Sequence, residues 1–282
     1  MSAAPAPLDP PASVVADAEA VADAADARAG VRTRAALPHE LDAVLARFDA
    51  TWGAGRGPDR SMLQALDHAG NTLLVAVELA EPAEAGERRL PSTGSTIPLG
   101  ATLGFLGWSG GLHVHSHMNA VDPTVRGRGI GVALKLRQRA MCLAHGVTEV
   151  RWTYDPLIRR NARMNLVRLG AEVVAFHPDF YGDLHDAISG HDRSDRFEVR
   201  WRLDSPRTRR ALARTPQPRW RTEGTLALVA DFEHVRAESP EVATRLRDAS
   251  REAFAALEGT LRPELDADGD YVFTRDDPDR EA

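Results

Sequence analysis

The apolar residues of this chain recur with the periods of strands and helices from about residue 31 onward. Residues 31–35 predict a short strand, and the segment after Pro38 has apolar residues at i, i+3, i+4 and i+7, the spacing of one buried helix face. These residues are Leu41, Val44, Leu45 and Phe48. Glycines at positions 53 and 55 are predicted to end this helix.

The segments that follow predict a sheet and two further helices. Strands are predicted over residues 72–79, 100–108, 112–121, 147–154, 171–176 and 196–203, and helices over residues 129–144 and 160–169. Gly146 and Gly170 follow the two helices, where glycine commonly closes a helix in the left-handed conformation. A polar stretch over residues 81–98 is predicted to be a surface insertion. The order β-α-β-β-β-α-β-α-β indicates an α/β domain (an α+β mixed sheet) over residues 31–203.

Beyond residue 203 the pattern is weaker. Residues 205–221 are rich in arginine and proline, residues 225–232 predict a strand, and residues 240–257 predict an amphipathic helix. Because one strand and one helix bury too little surface to fold alone, residues 204–268 are predicted to be a C-terminal extension. It is expected to pack on the α/β core or on the partner in a homodimer. Residues 269–282 are predicted to be an acidic C-terminal segment.

Charge is distributed unevenly over the 282 residues, whose formal sum is −6. Residues 1–30 hold five acids against one arginine in a run of alanine and proline, which predicts a disordered tail. Residues 262–282 hold eight acids against three arginines, so residues 31–261 carry a net charge of +3. The acidic sum therefore describes the two ends and does not argue against an anionic ligand in the body of the protein.

Two features of the composition bear on location. Cys142 is the single cysteine, so an internal disulfide is impossible and a reducing compartment is expected. No apolar run reaches the ~18 residues that a membrane span needs, and the N-terminus has no signal-peptide pattern. A cytoplasmic protein without a membrane segment is predicted.

A glycine cluster directly follows the predicted strand at residues 112–121. The sequence from Val121 reads VDPTVRGRGIGVAL, so glycines at positions 127, 129 and 131 open the next helix, with Arg126 and Arg128 interleaved. Backbone N–H groups at a helix N-terminus lack partners inside the helix and lie at the positive end of its dipole. This arrangement is typical of phosphate binding.

Other phosphate loops fit the cluster less well. A Walker A loop requires GxxxxGK[ST], which is absent from the chain. A dinucleotide fingerprint requires GxGxxG and an acid at the end of the next strand, whereas here the spacing is GxGxG and Glu149 lies at the start of its strand. A dinucleotide site and a tight turn without a ligand remain alternatives.

The spacing Arg126-x-x-Gly129-x-Gly131, preceded by Val121-x-Pro123, resembles the pyrophosphate-binding motif of the GNAT N-acetyltransferase superfamily. The resemblance covers roughly residues 31–203 and implies a GNAT-like acyl-CoA N-acyltransferase fold with a C-terminal α/β extension. It implies acetyl-CoA or another acyl-CoA as co-substrate. The residues that would bind it are the backbone of Asn119, Ala120 and Val121 for the acyl and pantetheine part, Arg126, Gly127, Arg128, Gly129, Ile130, Gly131 and Val132 for the pyrophosphate, and Asn161.

The chain also resembles a little-characterised bacterial subgroup of GNAT proteins. The similar segments are HSHM at 115–118, WTYDPL at 152–157, RNA at 160–162, FYG at 180–182 and SDRF at 194–197. That subgroup has a comparable extension, and the resemblance implies succinyl-CoA as an alternative donor.

Histidines alternate along the predicted strand before the glycine cluster. Strand alternation places His113, His115 and His117 on one face, with Ser116 and Met118 on the other. An imidazole titrates near neutrality, so it suits deprotonation of an amine whose ammonium pKa is ~10. The spacing of His115 and His117 is similar to the paired strand histidines of arylalkylamine N-acetyltransferases, which implies that they act as the base. A half-buried strand face and a zinc site, which lacks a clear third ligand, are the alternatives.

The general acid has no obvious candidate at the usual position. Many GNAT enzymes place a tyrosine four residues before the glycine that ends the second helix, and this chain has Leu166 there. Tyr154, at the end of its strand, is the predicted substitute, with a core aromatic as the alternative. The alternative for Asn161 is a helix N-cap. Cys142 lies late in its helix, away from the positive dipole end, and is predicted to pack rather than to carry an acyl group.

The sequence thus predicts an acyl-CoA-dependent N-acyltransferase that transfers an acyl group directly to the amine of a small molecule or amino acid. Acetyl-CoA is the default donor, and no metal or nucleic acid is expected. A non-catalytic acyl-CoA-binding regulatory module is the alternative from another class.

Overall fold

The computed structural model describes residues 10–79, 97–184, 192–255, 257 and 261–280. The chain divides into two compact units, Met1–Val150 and Arg151–Ala282. The sequence predicts a domain boundary between residues 203 and 204, which differs from the division between residues 150 and 151 in the structure. The physical reason is that residues after 203 share a hydrophobic core with strands that precede 203, as described below.

The first unit contains helices and strands whose bounds lie close to the predicted ones from residue 31 onward. They are α1 (Ala12–Ala29), β1 (Val31–Ala35), α2 (Leu41–Trp52), α3 (Arg60–His68), β2 (Thr72–Glu78), β3 (Gly100–Gly107), β4 (His113–Val121) and α4 (Ile130–Ala144). Helix α3 was not predicted, and most of the predicted insertion at 81–98 lies outside the described residues. The mixed α/β class is confirmed.

Strands β1 to β4 form an antiparallel sheet in the order β1-β2-β3-β4. One face of the sheet carries a hydrophobic core that α2 and α3 cover. This core includes Val44, Phe48, Leu63, Leu73, Val75, Leu103, Met118 and Ala120. Helix α4 packs on the other face, so close that a Cβ on Gly104 of β3 would lie 2.7 Å from Nε2 of Gln138.

Residues 12–29 form a helix, so the prediction of a disordered tail was wrong for them, whereas residues 1–9 lie outside the described part. Helix α1 packs along α4, and its alanines 18, 22, 25 and 29 are buried. Alanine has the highest helix propensity, and its small side chain allows close approach of two helices. Arg137 of α4 forms ion pairs with two acidic side chains of α1. Its Nη1 lies 2.5 Å from Glu19, and its Nη2 lies 2.6 Å from Asp23.

Strand β4 contains a β-bulge at its second half. Met118 pairs with Leu103 while Ser116 pairs with Gly104, so His117 is an extra residue in β4. As a result Ser116 and Met118 lie on opposite faces. Ser116 accepts a hydrogen bond from Lys135 of α4 at 2.7 Å, and Met118 packs in the core beside Phe48. The predicted placement of Ser116 and Met118 on one face was wrong because the bulge interrupts the alternation.

The second unit holds the remaining elements. They are β5 (Glu149–Tyr154, which begins at the end of the first unit), α5 (Arg159–Ala162, continued by a π-helix over Arg163–Arg168), β6 (Glu172–His177), β7 (Arg196–Arg202), α6 (Pro206–Leu212), β8 (Gly224–Leu226), α7 (Phe232–Glu238), α8 (Pro240–Ala255), β9 (Arg262–Leu265) and β10 (Tyr271–Thr274). Strands β5, β7 and β6 are neighbours in that order, and a second sheet has the order β8-β10-β9.

An aromatic cluster joins the C-terminal elements to β7. The ring of Phe197 in β7 lies 4.4 Å from that of Phe254 in α8 and 5.6 Å from that of Tyr271 in β10. Tyr271 is fully buried and β10 is the central strand of its sheet. The predicted boundary at residue 269 was therefore wrong, since the acidic residues there flank a strand that contributes to the core.

Candidate functional site

A loop with two left-handed glycines connects β4 to α4. After Val121 the chain makes a short 3-10 turn, Pro123–Val125, and Gly127 and Gly129 then adopt φ angles of +88° and +92°. A Cβ at either glycine would meet no atom within 4 Å. Glycine is therefore favoured there by the backbone conformation, which residues with a Cβ rarely adopt.

Five consecutive backbone N–H groups, those of residues 127 to 131, donate to no acceptor within the described part of the chain. The amide of Val132 differs, because it donates to the carbonyl oxygen of Gly129 at 3.1 Å. The free amides precede and open α4, at the positive end of its dipole. Such a row of donors can bind a phosphate or pyrophosphate group.

The two arginines of the loop differ in their surroundings. Arg126 is exposed. Arg128 donates from Nη2 to Glu78 at 2.8 Å and to the carbonyl oxygen of Gly30 at 3.2 Å, and from Nε to that of Ala29. The guanidinium of Arg128 thus ties the loop to the C-terminal end of α1, which leaves Arg126 as the loop cation available to a ligand.

Asn119 links the strand to the helix that follows it. Its Oδ1 accepts from the hydroxyl of Thr102 at 2.8 Å, and its Nδ2 donates to the carbonyl oxygen of Gly131 at 3.3 Å. A Cβ on Gly131 would lie 3.6 Å from Val121 and 3.7 Å from Asn119. Glycine at this position keeps the space between the end of β4 and the start of α4 clear of a side chain.

The start of the loop is held by residues that the sequence did not suggest. Both the amide and the hydroxyl of Thr124 donate to Oδ1 of Asp122, at 2.9 and 2.7 Å. Nη2 of Arg47 lies 2.6 Å from Oδ2 of the same carboxylate. These hydrogen bonds, first those of Thr124 and then that of Arg47, lower the pKa of Asp122 to about 2. In the sequence, Arg47 is only a residue of the periodic segment that predicts α2. No local signal indicates that it pairs with Asp122, which lies 75 positions further along the chain.

The predicted histidines form a cluster with one phenylalanine. The rings of His115 and His117 are 6.1 Å apart, and they lie 5.3 and 5.8 Å from the ring of Phe105. His113 is buried, with Nδ1 2.8 Å from the carbonyl oxygen of Gly111. The structure thus brings His115 and His117 together and gives His113 a local hydrogen bond.

The surroundings of His117 favour its neutral form. Its side chain is solvent-accessible, but the neighbouring protein atoms remove part of the hydration of the ring and lower the pKa of the imidazole below its usual value. At neutral pH a neutral imidazole can accept a proton. The bulge exposes this residue while its neighbours Ser116 and Met118 are buried.

Tyr154 and Asn161 belong to the second unit. Tyr154 is buried, its hydroxyl lies 3.2 Å from that of Tyr271, and burial raises the pKa of the phenol. The hydroxyl of Tyr271 in turn donates to the carbonyl oxygen of Pro156 at 2.9 Å, so the Tyr154 hydroxyl is the donor of the pair. This environment is that of a core aromatic. Asn161 lies inside α5, whose N-cap is Ile158, so the N-cap alternative is wrong.

Helix α4 carries two buried side chains that could act as nucleophiles. Cys142 is buried, and burial raises the pKa of its thiol to about 12. Lys135, the single lysine, is also buried, and burial lowers its pKa to about 7. A thiol that remains protonated at neutral pH is a poor nucleophile, so the packing role predicted for Cys142 agrees with its surroundings.

No protein-family model matches the chain, and no curated protein matches it. Solved structures do match. An N-acetyltransferase from Staphylococcus aureus Mu50 is 15% identical, with a TM-score of 0.43, over 62% of this chain and 99% of that one. Arabidopsis thaliana Naa50, in complex with the bisubstrate analogue CoA-Ac-MVNAL, is 18% identical with a TM-score of 0.44, over 61% and 97%. The protein yncA from Salmonella typhimurium, with its cofactor acetyl-CoA, is 17% identical with a TM-score of 0.45, over 62% and 95%.

Among the residues that the structure describes, no group of three or more His, Cys, Asp or Glu side chains is placed to hold a metal ion. No helix in those ranges is long and apolar enough to cross a membrane.

Proposed function

We propose that this protein is an acyl-CoA-dependent N-acyltransferase that acts on the amine of a small molecule or amino acid. The observation that carries the proposal is the row of five backbone N–H groups, residues 127 to 131, which donate to no acceptor within the described residues. A pyrophosphate offers several acceptor oxygens in one line, and coenzyme A contains one. Arg126, exposed beside these amides, adds a positive charge.

The end of β4 supports the same assignment. The backbone of Asn119, Ala120 and Val121 ends β4 and is joined to the amide row by the short turn at Pro123–Val125. A ligand whose pyrophosphate lies on the row is proposed to extend its pantetheine arm along these strand residues. The side chain of Arg128 is not proposed to bind the pyrophosphate, because it is hydrogen-bonded to Glu78 and to the carbonyl oxygen of Ala29 at the end of α1.

The histidine pair supports an acyl-transfer reaction. His117 is accessible and its pKa is lowered, so it is neutral at physiological pH and can take a proton from the ammonium form of the acceptor. The amine nitrogen then forms a C–N bond with the acyl carbon and releases its second proton to solvent, while the C–S bond of the thioester breaks. His115, whose ring is 6.1 Å from that of His117, is proposed to share the role of base.

The leaving thiolate must receive a proton. A free thiol has a pKa of ~8.5, so water can supply that proton near neutrality. The hydroxyl of Tyr154 donates to that of Tyr271, and this bond would have to break for Tyr154 to act as the acid. We therefore favour protonation by solvent, with direct transfer and no acyl-enzyme on Cys142.

A second candidate function is a non-catalytic acyl-CoA-binding module. It is favoured by one observation: Leu166, at the position where many GNAT enzymes have a tyrosine, is 1% exposed and part of the core. Acetyl-CoA is the proposed donor, and succinyl-CoA is the alternative donor. A homodimer remains a prediction.

The experiment compares ligand binding with turnover. Thermal shift and calorimetry with CoA, acetyl-CoA, succinyl-CoA and NAD test the amide row, and a thiol-release assay across a panel of amines and amino acids tests catalysis. The double variant with His115→Ala and His117→Ala is expected to bind CoA and to lose turnover. Binding of NAD alone would refute the proposal, whereas CoA binding without turnover on any amine would favour the regulatory module.

A further inference from the structure

One buried arginine connects α2 to the start of the glycine loop. Arg47 is 5% exposed, and its guanidinium makes two contacts that are far apart in sequence. Nε donates to the carbonyl oxygen of Pro98 at 2.8 Å, just before β3, and Nη2 donates to Asp122 at 2.6 Å, just after β4. Arg47 therefore contacts the residues just before β3 and just after β4, which lie at the same end of this antiparallel pair.

Asp122 uses both of its carboxylate oxygens. Oδ2 accepts from Arg47, and Oδ1 accepts from the amide and the hydroxyl of Thr124. The backbone amide of Asp122 also donates to the carbonyl oxygen of Leu99 at 2.8 Å. The residue that begins the loop is thus fixed through its backbone and through both oxygens of its side chain.

This fixation matters for the residues that follow. From Asp122 the chain passes through the turn at Pro123–Val125 to the amide row at residues 127 to 131. A Cβ at Gly127 or Gly129 would meet no atom within 4 Å, so no packing contact on that side restrains these two glycines. The row is held within by the hydrogen bonds of Arg128 to Glu78 and to the end of α1, and on its N-terminal side by Asp122. The position of its first amides therefore depends on how firmly Asp122 is held as well as on Arg128.

We infer that Arg47 is a positioning residue for the phosphate loop, acting through Asp122, and that it sets the affinity for the pyrophosphate part of the acyl donor. The inference rests on the proposed function. A general structural role would affect every donor alike. A positioning role predicts a loss confined to donors that contain the pyrophosphate.

The test compares two donors in one set of variants. Binding of CoA is measured by calorimetry, and turnover is measured with acetyl-CoA and with S-acetylpantetheine, which lacks the pyrophosphate. In Arg47→Met, the Kd for CoA and the KM for acetyl-CoA are expected to rise by about tenfold to a hundredfold, the scale of a misplaced binding group. The kcat/KM with S-acetylpantetheine is expected to stay unchanged.

Further variants provide rescue and control. Arg47→Lys keeps the charge but can reach only one of the two partners, so it is expected to recover part of the affinity. Asp122→Asn weakens the same contact from the other side and serves if Arg47→Met does not fold. Arg60→Ala is the control in the same unit, because Arg60 forms an exposed pair with Asp42 at 2.9 Å, and its Kd for CoA is expected to match the wild type.

The outcomes separate the inference from the function on which it rests. If wild-type protein binds no CoA, the proposed function fails and the inference with it. If wild-type protein binds CoA and Arg47→Met binds it equally well, the inference alone is overturned. An equal loss with acetyl-CoA and S-acetylpantetheine would also overturn it, because that result is the one expected of a general structural role.

Discussion

Replacing Asp26 with alanine tests whether α1 is an integral part of the first unit. Asp26 is 7% exposed, and its carboxylate accepts hydrogen bonds from Thr33 of β1, from the amide at 2.9 Å and from the hydroxyl at 2.7 Å. Nη2 of Arg137 lies 3.1 Å from the same carboxylate. Asp26 thus joins α1 to both β1 and α4.

The magnitude follows from the groups that the substitution leaves behind. Thr33 is 3% exposed, so without Asp26 its amide and hydroxyl lose their acceptor in a place that water reaches poorly. An unsatisfied buried polar group costs ~1–3 kcal/mol. Arg137 keeps Glu19 and Asp23 as partners, and these partly compensate. We expect the free energy of unfolding to fall by about 2–4 kcal/mol.

The assay is urea unfolding followed by circular dichroism, with hydrogen exchange of the β1 amides as a local measurement. Ser13→Ala is the control on the same helix, since Ser13 is exposed, and it should change stability by less than about 0.5 kcal/mol. If Asp26→Ala is as stable as Ser13→Ala and the β1 amides exchange at the wild-type rate, α1 is not docked as described.

Three further predictions concern the loop and the histidines. The kcat/KM for the amine should rise with pH with a midpoint below the usual histidine value of ~6.5, because the pKa of His117 is lowered; a midpoint that is unchanged in His117→Gln would exclude this residue as the base. Gly129→Ala should weaken CoA binding by about tenfold or more, since alanine at φ +92° costs ~1–2 kcal/mol; equal affinity in calorimetry would show that this conformation is not required. Asp122, with its pKa lowered to about 2, stabilises the folded protein above pH ~4 and loses this contribution as the pH falls towards 2. The difference in unfolding free energy between wild type and Asp122→Asn should therefore be smaller at pH 3 than at pH 7, and a difference that grows on acidification would contradict the contacts of Asp122.

Elements defined by local patterns were predicted closely. Strand β1 was predicted over 31–35 and is found at Val31–Ala35, and α4 was predicted over 129–144 and is found at Ile130–Ala144. Both have an apolar periodicity and a clear end signal within a few residues. The position of the glycine loop between β4 and α4 follows from the same local signals.

Other elements were missed because their stabilisation comes from distant residues. Helix α1 has an alanine-rich sequence that also suits a disordered tail, and its packing on α4 cannot be read from that segment. Strand β10 lies among acidic residues, and only contacts such as that between Phe197 and Tyr271 show that it belongs to the core. The bulge at His117 depends on the register between β3 and β4, which neither strand encodes alone.

The sequence by itself determined the order of the elements around the loop, the glycines that take positive φ angles and the closely spaced histidines of β4. These depend on backbone preference and on apolar periodicity, which act over a few neighbouring residues. Only the tertiary structure decided that Arg126 rather than Arg128 is the available cation, that His117 is the extra residue of a bulge, and that Arg47 holds Asp122. The reason is that the role of a side chain depends on the partners that the fold brings within hydrogen-bond distance. For Arg128 and Arg47 those partners lie from 50 to 99 residues away in the sequence.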